Sequence, residues 1–278
     1  MANSIARTLS PGRQASLDGA HGHAASVARS LGWIALPWLV PVACAVLWAL
    51  GSHYGWISAQ ILPSPTLVFD TLGSLARSGE LWMHVSASLS RIAVGFTGGV
   101  VLGLLLGGLL GLSRTAEAYI LPSFNAVVQV PVLGWLPFLM IVVGIGEPLK
   151  YLLIGHAALV PVTLSTLQGF RRTPPAYLDV GRVFRYSRRQ TIFNVVLPSA
   201  VPVIGTGIRL AFTKAWLTLV VVELVASSEG LGYLIVYGRQ LFQLDLVLAS
   251  VLIVGAIGYV ADRLLTVLEH KLSPSWLA

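Results

Sequence analysis

The chain has 278 residues, 55% of them hydrophobic and 10% charged, with a mean hydropathy of +0.80. Soluble domains carry about 25% charged residues, so this composition excludes a soluble domain and indicates an all-α integral membrane protein, its apolar runs being longer than barrel strands need. The formal net charge of +7 would suggest nucleic acid in a soluble chain; here it reads as the basic bias of a cytoplasmic membrane face, and the lone Cys44 excludes an internal disulfide or a cysteine-built cluster.

Residues 1–30 are rich in Ala, Ser, Gly and Arg without apolar periodicity and read as a disordered cytoplasmic tail. Six spans follow, at 31–51, 86–112, 124–146, 149–169, 200–226 and 244–268, within one membrane domain of 31–270 and before a short cytoplasmic tail at 271–278. The first is too long for a signal-peptide core and reads as a retained anchor. Lys and Arg in the loops and at the span ends fall on one side by roughly three to one, which puts both termini in the cytoplasm. Between the first two spans, Ser64 and Pro65 open a helix whose Val68, Leu72 and Leu75 form one apolar stripe, as for an amphipathic helix on the outer surface.

In the second span Gly95, Gly99, Gly103, Gly107 and Gly111 repeat every fourth residue, with Gly98 and Gly108 widening the groove. Glycine at this spacing lets another helix backbone approach closely; the partner is either a helix of the same chain or a second subunit. Pro131, Trp135 and Pro137 in the third span and Pro161 in the fourth predict kinks. Such kinks suit helices that line a cavity, and equally an irregular bundle.

Between spans four and five lies a basic amphipathic loop, 171–198. Thr173 is placed to cap a short helix opening at Pro174, with Ala176, Val180, Val183 and Phe184 on its apolar face. The helix should stop near Arg185–Tyr186. Ser187 and Gln190 form a capping box for a second helix, whose Phe193, Val196 and Leu197 turn toward the membrane, and Pro198 and Pro202 frame the start of span five.

This loop resembles the signature of binding-protein-dependent ABC transporter permeases: an acidic residue with two small ones, a glycine, then an apolar residue and Leu-Pro. Asp179-Val180-Gly181 stands where Glu-Ala-Ala is usual, Val195 and Leu197-Pro198 fit its end, and Arg185 replaces the usual glycine, at about 1 kcal/mol if the position is left-handed. Gly134-Trp-Leu-Pro137, Gly144-Ile-Gly-Glu147, Pro161-Val-Thr-Leu, Trp216-Leu-Thr-Leu-Val with Glu223, and Gly230-Leu-Gly-Tyr233 look like the permeases for sulfonates, taurine and nitrate, above all the aliphatic sulfonate (Ssu-type) permease. The resemblance implies a permease homodimer, two ATPase subunits that carry ATP and Mg, a periplasmic binding protein, and the bacterial inner membrane. It makes the loop a coupling helix, with Asp179, Val180, Gly181, Arg182, Phe184, Arg185, Tyr186, Leu197 and Pro198 as the contact residues. The chain has no phosphate-binding Gly-x-x-x-x-Gly-Lys-Ser/Thr loop, so no cofactor and no ATPase site of its own is expected. The arginines 182, 185, 188 and 189 could pair with an acidic partner or with lipid headgroups.

Span five carries Arg209, Lys214 and Glu223, and span four carries His156. Charges at the bilayer centre cost at least about 2.5–3.5 kcal/mol and usually face protein or water. Lys214 either draws an anionic head group into a pathway or pairs at a helix seam. Arg209 fits a structural role. Glu223 suits a gate or a structural hydrogen bond, and His156 a proton relay or neutral packing. With Trp216 these are the candidate pathway or gate residues. The rival reading is an ATP-independent, ion-coupled transporter using Lys214, Glu223 and His156; no metal-ligand spacing and no nucleophile–base arrangement is present.

Overall fold

The structure is a computed structural model that describes residues 39–272 except 57, 59 and 60. The tail at 1–30, the first part of the predicted first span, 31–38, and residues 273–278 of the tail predicted at 271–278 lie outside the described residues; residues 271 and 272 are helical. The chain divides into two compact units, 1–65 and 66–278. In the first, helix α1 (Leu39–His53) is apolar, and the Trp48 indole donates to the Pro63 carbonyl at 2.9 Å, tying the following loop to it.

The second unit is helical throughout its described regular elements. α2 (Pro65–Ser78) opens on the proline that the sequence places there and buries Val68 and Leu75. α3 (Glu80–Leu112) starts six residues before the predicted span, after Gly79 in a left-handed conformation. α4 (Arg114–Val128) and α5 (Leu136–Val143), joined by a 3-10 turn Val132–Trp135, occupy the predicted third span. They do not form one kinked helix: the chain bends there by 85°. Pro131 supplies the reason, since its extended backbone (ψ 140°) and missing N–H end the helical ladder. α6 (Glu147–Arg171) follows.

α6 is the central post. Half of its most apolar window is buried, against 17% for the last helix, α11 (Leu244–Leu272). Lipid tails give no hydrophobic drive between helices, so close backbone packing has to hold them together. The glycine row of α3 provides it. A Cβ at Gly95 would come within 2.8 Å of Ile154, at Gly103 within 2.8 Å of Val162, and at Gly107 within 2.7 Å of Thr166. The row is therefore the α3–α6 seam within the chain. Gly98 faces open space, contrary to the expectation that it widens the groove, because it is one residue out of register with the row.

α9 (Leu197–Ala226) packs on the other side of α6, where Gly169 meets Ala200 and Gly207 meets Ser165. Ile92, Ile154, Val162, Phe212, Trp216 and Leu219 fill the shared core. α10 (Leu231–Gln240) and α11 close the unit, with Leu75, Leu234 and Leu246 clustering beneath α2. Among the described residues four helices are long and apolar enough to cross a membrane, or five when the bent α4–α5 pair is counted as one span.

Candidate functional site: a capped loop and charges within the bundle

The loop between α6 and α9 is built from two helices with fixed ends. α7 (Pro175–Val183) starts one residue later than expected. Pro175 forces the residue before it out of the helical region, so Pro174 stays extended (ψ 133°) and cannot open the helix. Thr173 does not cap it either; its hydroxyl reaches the Phe170 carbonyl and Ser199, stitching the end of α6 to α9. At the far end of α7 the Tyr186 amide donates to the Gly181 carbonyl and the Arg185 amide to the Arg182 carbonyl, both at 2.9 Å. This is a Schellman turn. Its left-handed position is Arg185, at φ 50°.

Ser187 then starts α8 (Arg188–Thr191) with both bonds of the capping box formed. The Gln190 side chain accepts from the Ser187 amide at 2.8 Å, and the Ser187 hydroxyl accepts from the Gln190 amide at 3.3 Å. α8 does not stop before the next span. It runs through one π-helical turn, Ile192–Val196, straight into α9, giving a continuous rod of 39 residues from Arg188 to Ala226. Leu197 and Pro198 are half-buried at that junction.

Gly181 is the buried residue of α7. The predicted apolar face looks away from the bundle: Val180, Val183 and Phe184 are 53, 80 and 68% exposed. Phe184 and Tyr186 lie against each other with ring centres 6.1 Å apart. Three of the four arginines are engaged within the chain: Arg182 pairs with Asp179 at 2.7 Å, Arg188 donates to the Leu112 carbonyl at 3.2 Å, and Arg189 lies 5.9 Å over the Phe193 ring.

At the opposite end of the bundle lies a second constellation. The Arg91 side chain, 1% exposed, meets three carboxylates: Glu147 at 2.7 Å, Glu223 at 2.9 Å and Glu229 at 3.1 Å. Lys150 joins through Glu147 at 2.7 Å. Glu223, fully buried, also accepts from the Ser88 hydroxyl at 2.8 Å and the Gly232 amide at 2.9 Å. The His84 Nδ1 accepts from the Gly230 amide at 3.0 Å. Gly230 sits at φ 113°, and a Cβ there would come within 2.5 Å of the Glu223 carboxylate, so glycine is required twice over. The network clamps α3, α6, α9 and the 227–230 segment together.

Between these ends lie two open cavities. One, of about 510 Å³, is bordered by the broken stretch around Pro131, by α6 and by α9; Lys214 and His156 both line it. The other, of about 600 Å³, lies between α9 and α11 and is bordered by Trp216 and Asp262. Arg209 pairs with Asp262 at 2.8 Å, joining α9 to α11.

The profile of the family described as the binding-protein-dependent transport system inner membrane component matches residues 99–274. The chain belongs to that family. A Bacillus subtilis protein named as an aliphatic sulfonates transport permease, SsuC, is 38% identical over 234 residues, covering 84% of this chain and 85% of its own length. The Escherichia coli protein of the same name is 36% identical over 234 residues, covering 84% and 89%. A chain of the MetNI methionine ABC transporter in an inward-facing conformation shares the fold, with a TM-score of 0.56 at 18% identity over 67% of this chain and 93% of that one.

The predicted pathway residues of this permease do not form one site. Lys214 and His156 share a cavity. Trp216 lies 8% exposed on the opposite side of α9, stacked on Phe212, because residues two apart on a helix point to opposite faces. Arg209 and Glu223 are held in separate ion pairs. Arg91, Glu147, Lys150 and Glu229 were not among the candidates, although an arginine inside a span and the glutamate after Gly144-Ile-Gly are each a signal of a buried pair.

Proposed function

We propose that this permease is the membrane-spanning subunit of an ATP-driven importer for aliphatic sulfonates, worked by a separate ATPase that grips the 171–198 loop. The names of its relatives support the substrate class. The observation that carries the coupling role is the outward-facing surface of α7. Val183 and Phe184 are held out by a turn with satisfied backbone bonds at both ends, rather than folded against the bundle. Exposed aromatic anchors on a pre-formed helix lose little entropy when a partner covers them.

In this reading two copies of the chain assemble with two ATPase subunits, and a periplasmic binding protein delivers the anion. ATP and Mg²⁺ reside on the ATPase. The loop and both termini face the cytoplasm of a bacterial cell whose inner membrane the chain crosses several times. ATP binding draws the ATPases together and carries the loops with them. Because α8 runs unbroken into α9, displacement that α7 passes through the Arg185–Ser187 turn to α8 is delivered along one rod to Glu223 and the charge clamp at the far end. Differential contact between loop and ATPase in its two states supplies the free energy.

The test is reconstitution of the permease, the ATPase and the binding protein in proteoliposomes. Uptake of ethanesulfonate should require all three and ATP, and Phe184→Ala should lower it by about tenfold or more, as for an anchor at an interface. Uptake by the permease alone, driven by an ion gradient, would establish the rival ion-coupled mechanism instead.

A further inference from the structure

Within the spans, Arg91, Lys150 and Arg209 each meet a carboxylate. Lys214 does not. It lies midway along α9, and among the described residues its ammonium has neither an ion pair nor a hydrogen bond. A cation at that depth needs a counter-charge or water, and the chain provides no acid: the cavity it lines contains no Asp or Glu.

The cavity provides further donors instead. Ser165, Gln168, Thr218 and His156 border it with Lys214, and their side chains likewise have no partner among the described residues. Hydroxyl, amide, imidazole and ammonium can all donate to one acceptor-rich head. The rest of the wall is aliphatic, including Val160, Leu164 and Leu210. The volume, about 510 Å³, falls in the range of about 300–1,000 Å³ typical of small-ligand sites. The backbone is irregular where it borders this space, at the 85° break beside Pro131; unladdered backbone at membrane depth belongs where it lines a polar cavity.

We propose that this cavity is a transit site that selects a monoanion bearing a short apolar tail, the head held by Lys214 and the tail laid on the aliphatic wall. The proposal rests on the importer reading above and sharpens its substrate. A tail-less oxyanion leaves the aliphatic wall unused. A zwitterion brings an ammonium group for which the lining holds no carboxylate. An alkanesulfonate satisfies both halves.

The experiment uses the full reconstituted transporter and a series of unbranched alkanesulfonates, from methanesulfonate to pentanesulfonate. Lys214→Met should lower ATP-driven uptake about ten- to a hundredfold, as for loss of a charged hydrogen bond, in a complex that still co-purifies intact, and Lys214→Arg should restore most of it. Leu210, half-exposed on the wall, gives a second variant that does not threaten the fold. Leu210→Phe should depress pentanesulfonate uptake relative to methanesulfonate. Wild-type rates in Lys214→Met, equal loss in Lys214→Met and Lys214→Arg, or an unchanged chain-length ratio in Leu210→Phe would each overturn the proposal while leaving the importer intact. Absence of sulfonate uptake by the unmodified transporter would instead overturn the reading on which it rests.

Discussion

Arg185 and Arg91 are both arginines at points of tension, and they resolve it differently. Arg185 occupies the left-handed position of the α7 turn, where a side chain costs about 1 kcal/mol relative to glycine. Arg185→Gly should therefore tighten the turn. The Tyr186 amide, bonded to the Gly181 carbonyl, is the reporter: its hydrogen exchange should slow by up to about fivefold, and faster exchange would show that the arginine side chain itself holds the turn. Arg91 is buried but satisfied by three carboxylates. Removing it with Arg91→Met strands Glu223 in the core, which should cost about 3–5 kcal/mol. The expected result is a large drop in the detergent-solubilised melting temperature, partly recovered in the Arg91→Met/Glu223→Gln double variant. No recovery would mean that Arg91 matters for its volume rather than its charge. The capping box at Ser187 and Gln190 was legible in sequence because its chemistry spans a few residues, whereas the left-handed Arg185 was raised only as a condition, by the family resemblance that puts a glycine there. The Arg91 clamp was not legible: its partners lie 56, 132 and 138 positions away, and no local pattern links them.

Helix boundaries followed the same rule. Pro65 opens α2 as expected, whereas α7 begins at Pro175 and not Pro174 because consecutive prolines restrict the first of the two. The predicted kink at Pro131 is a break of 85°, because the chain leaves the helix there through an extended residue rather than bending within it. The glycine row gave the seam, but only the structure identifies α6 as its partner. That assignment predicts a contrast within α3. Gly103→Leu drives a side chain into Val162 and should destabilise the bundle by about 1–3 kcal/mol or more. Gly98→Leu, facing open space, should leave the melting temperature nearly unchanged. The reverse order would place the helix contact on another face of α3. The cavity shared by Lys214 and His156 was only half legible. Each residue stood out as polar inside an apolar run, but their meeting depends on the packing of α6 against α9.

The whole molecule has two chemically distinct ends joined by one long helix. At one end a basic, apolar-tipped loop projects outward; at the other, carboxylates and Arg91 clamp three helices and a loop. The rod from Arg188 to Ala226 touches both, and Lys214 lies between them. Composition and the basic bias of the loops made the membrane class readable, whereas the division of labour between the ends emerges from tertiary contacts. The central claim is that the ATPase engages the loop end through α7. A photo-reactive amino acid placed at Phe184, with a second placed at the nearly fully exposed Phe242 beyond α10 as the comparison, tests it in the assembled transporter. The account predicts that Phe184 cross-links to the ATPase subunit and Phe242 does not. Cross-linking of the ATPase at Phe242, with none at Phe184, would contradict it.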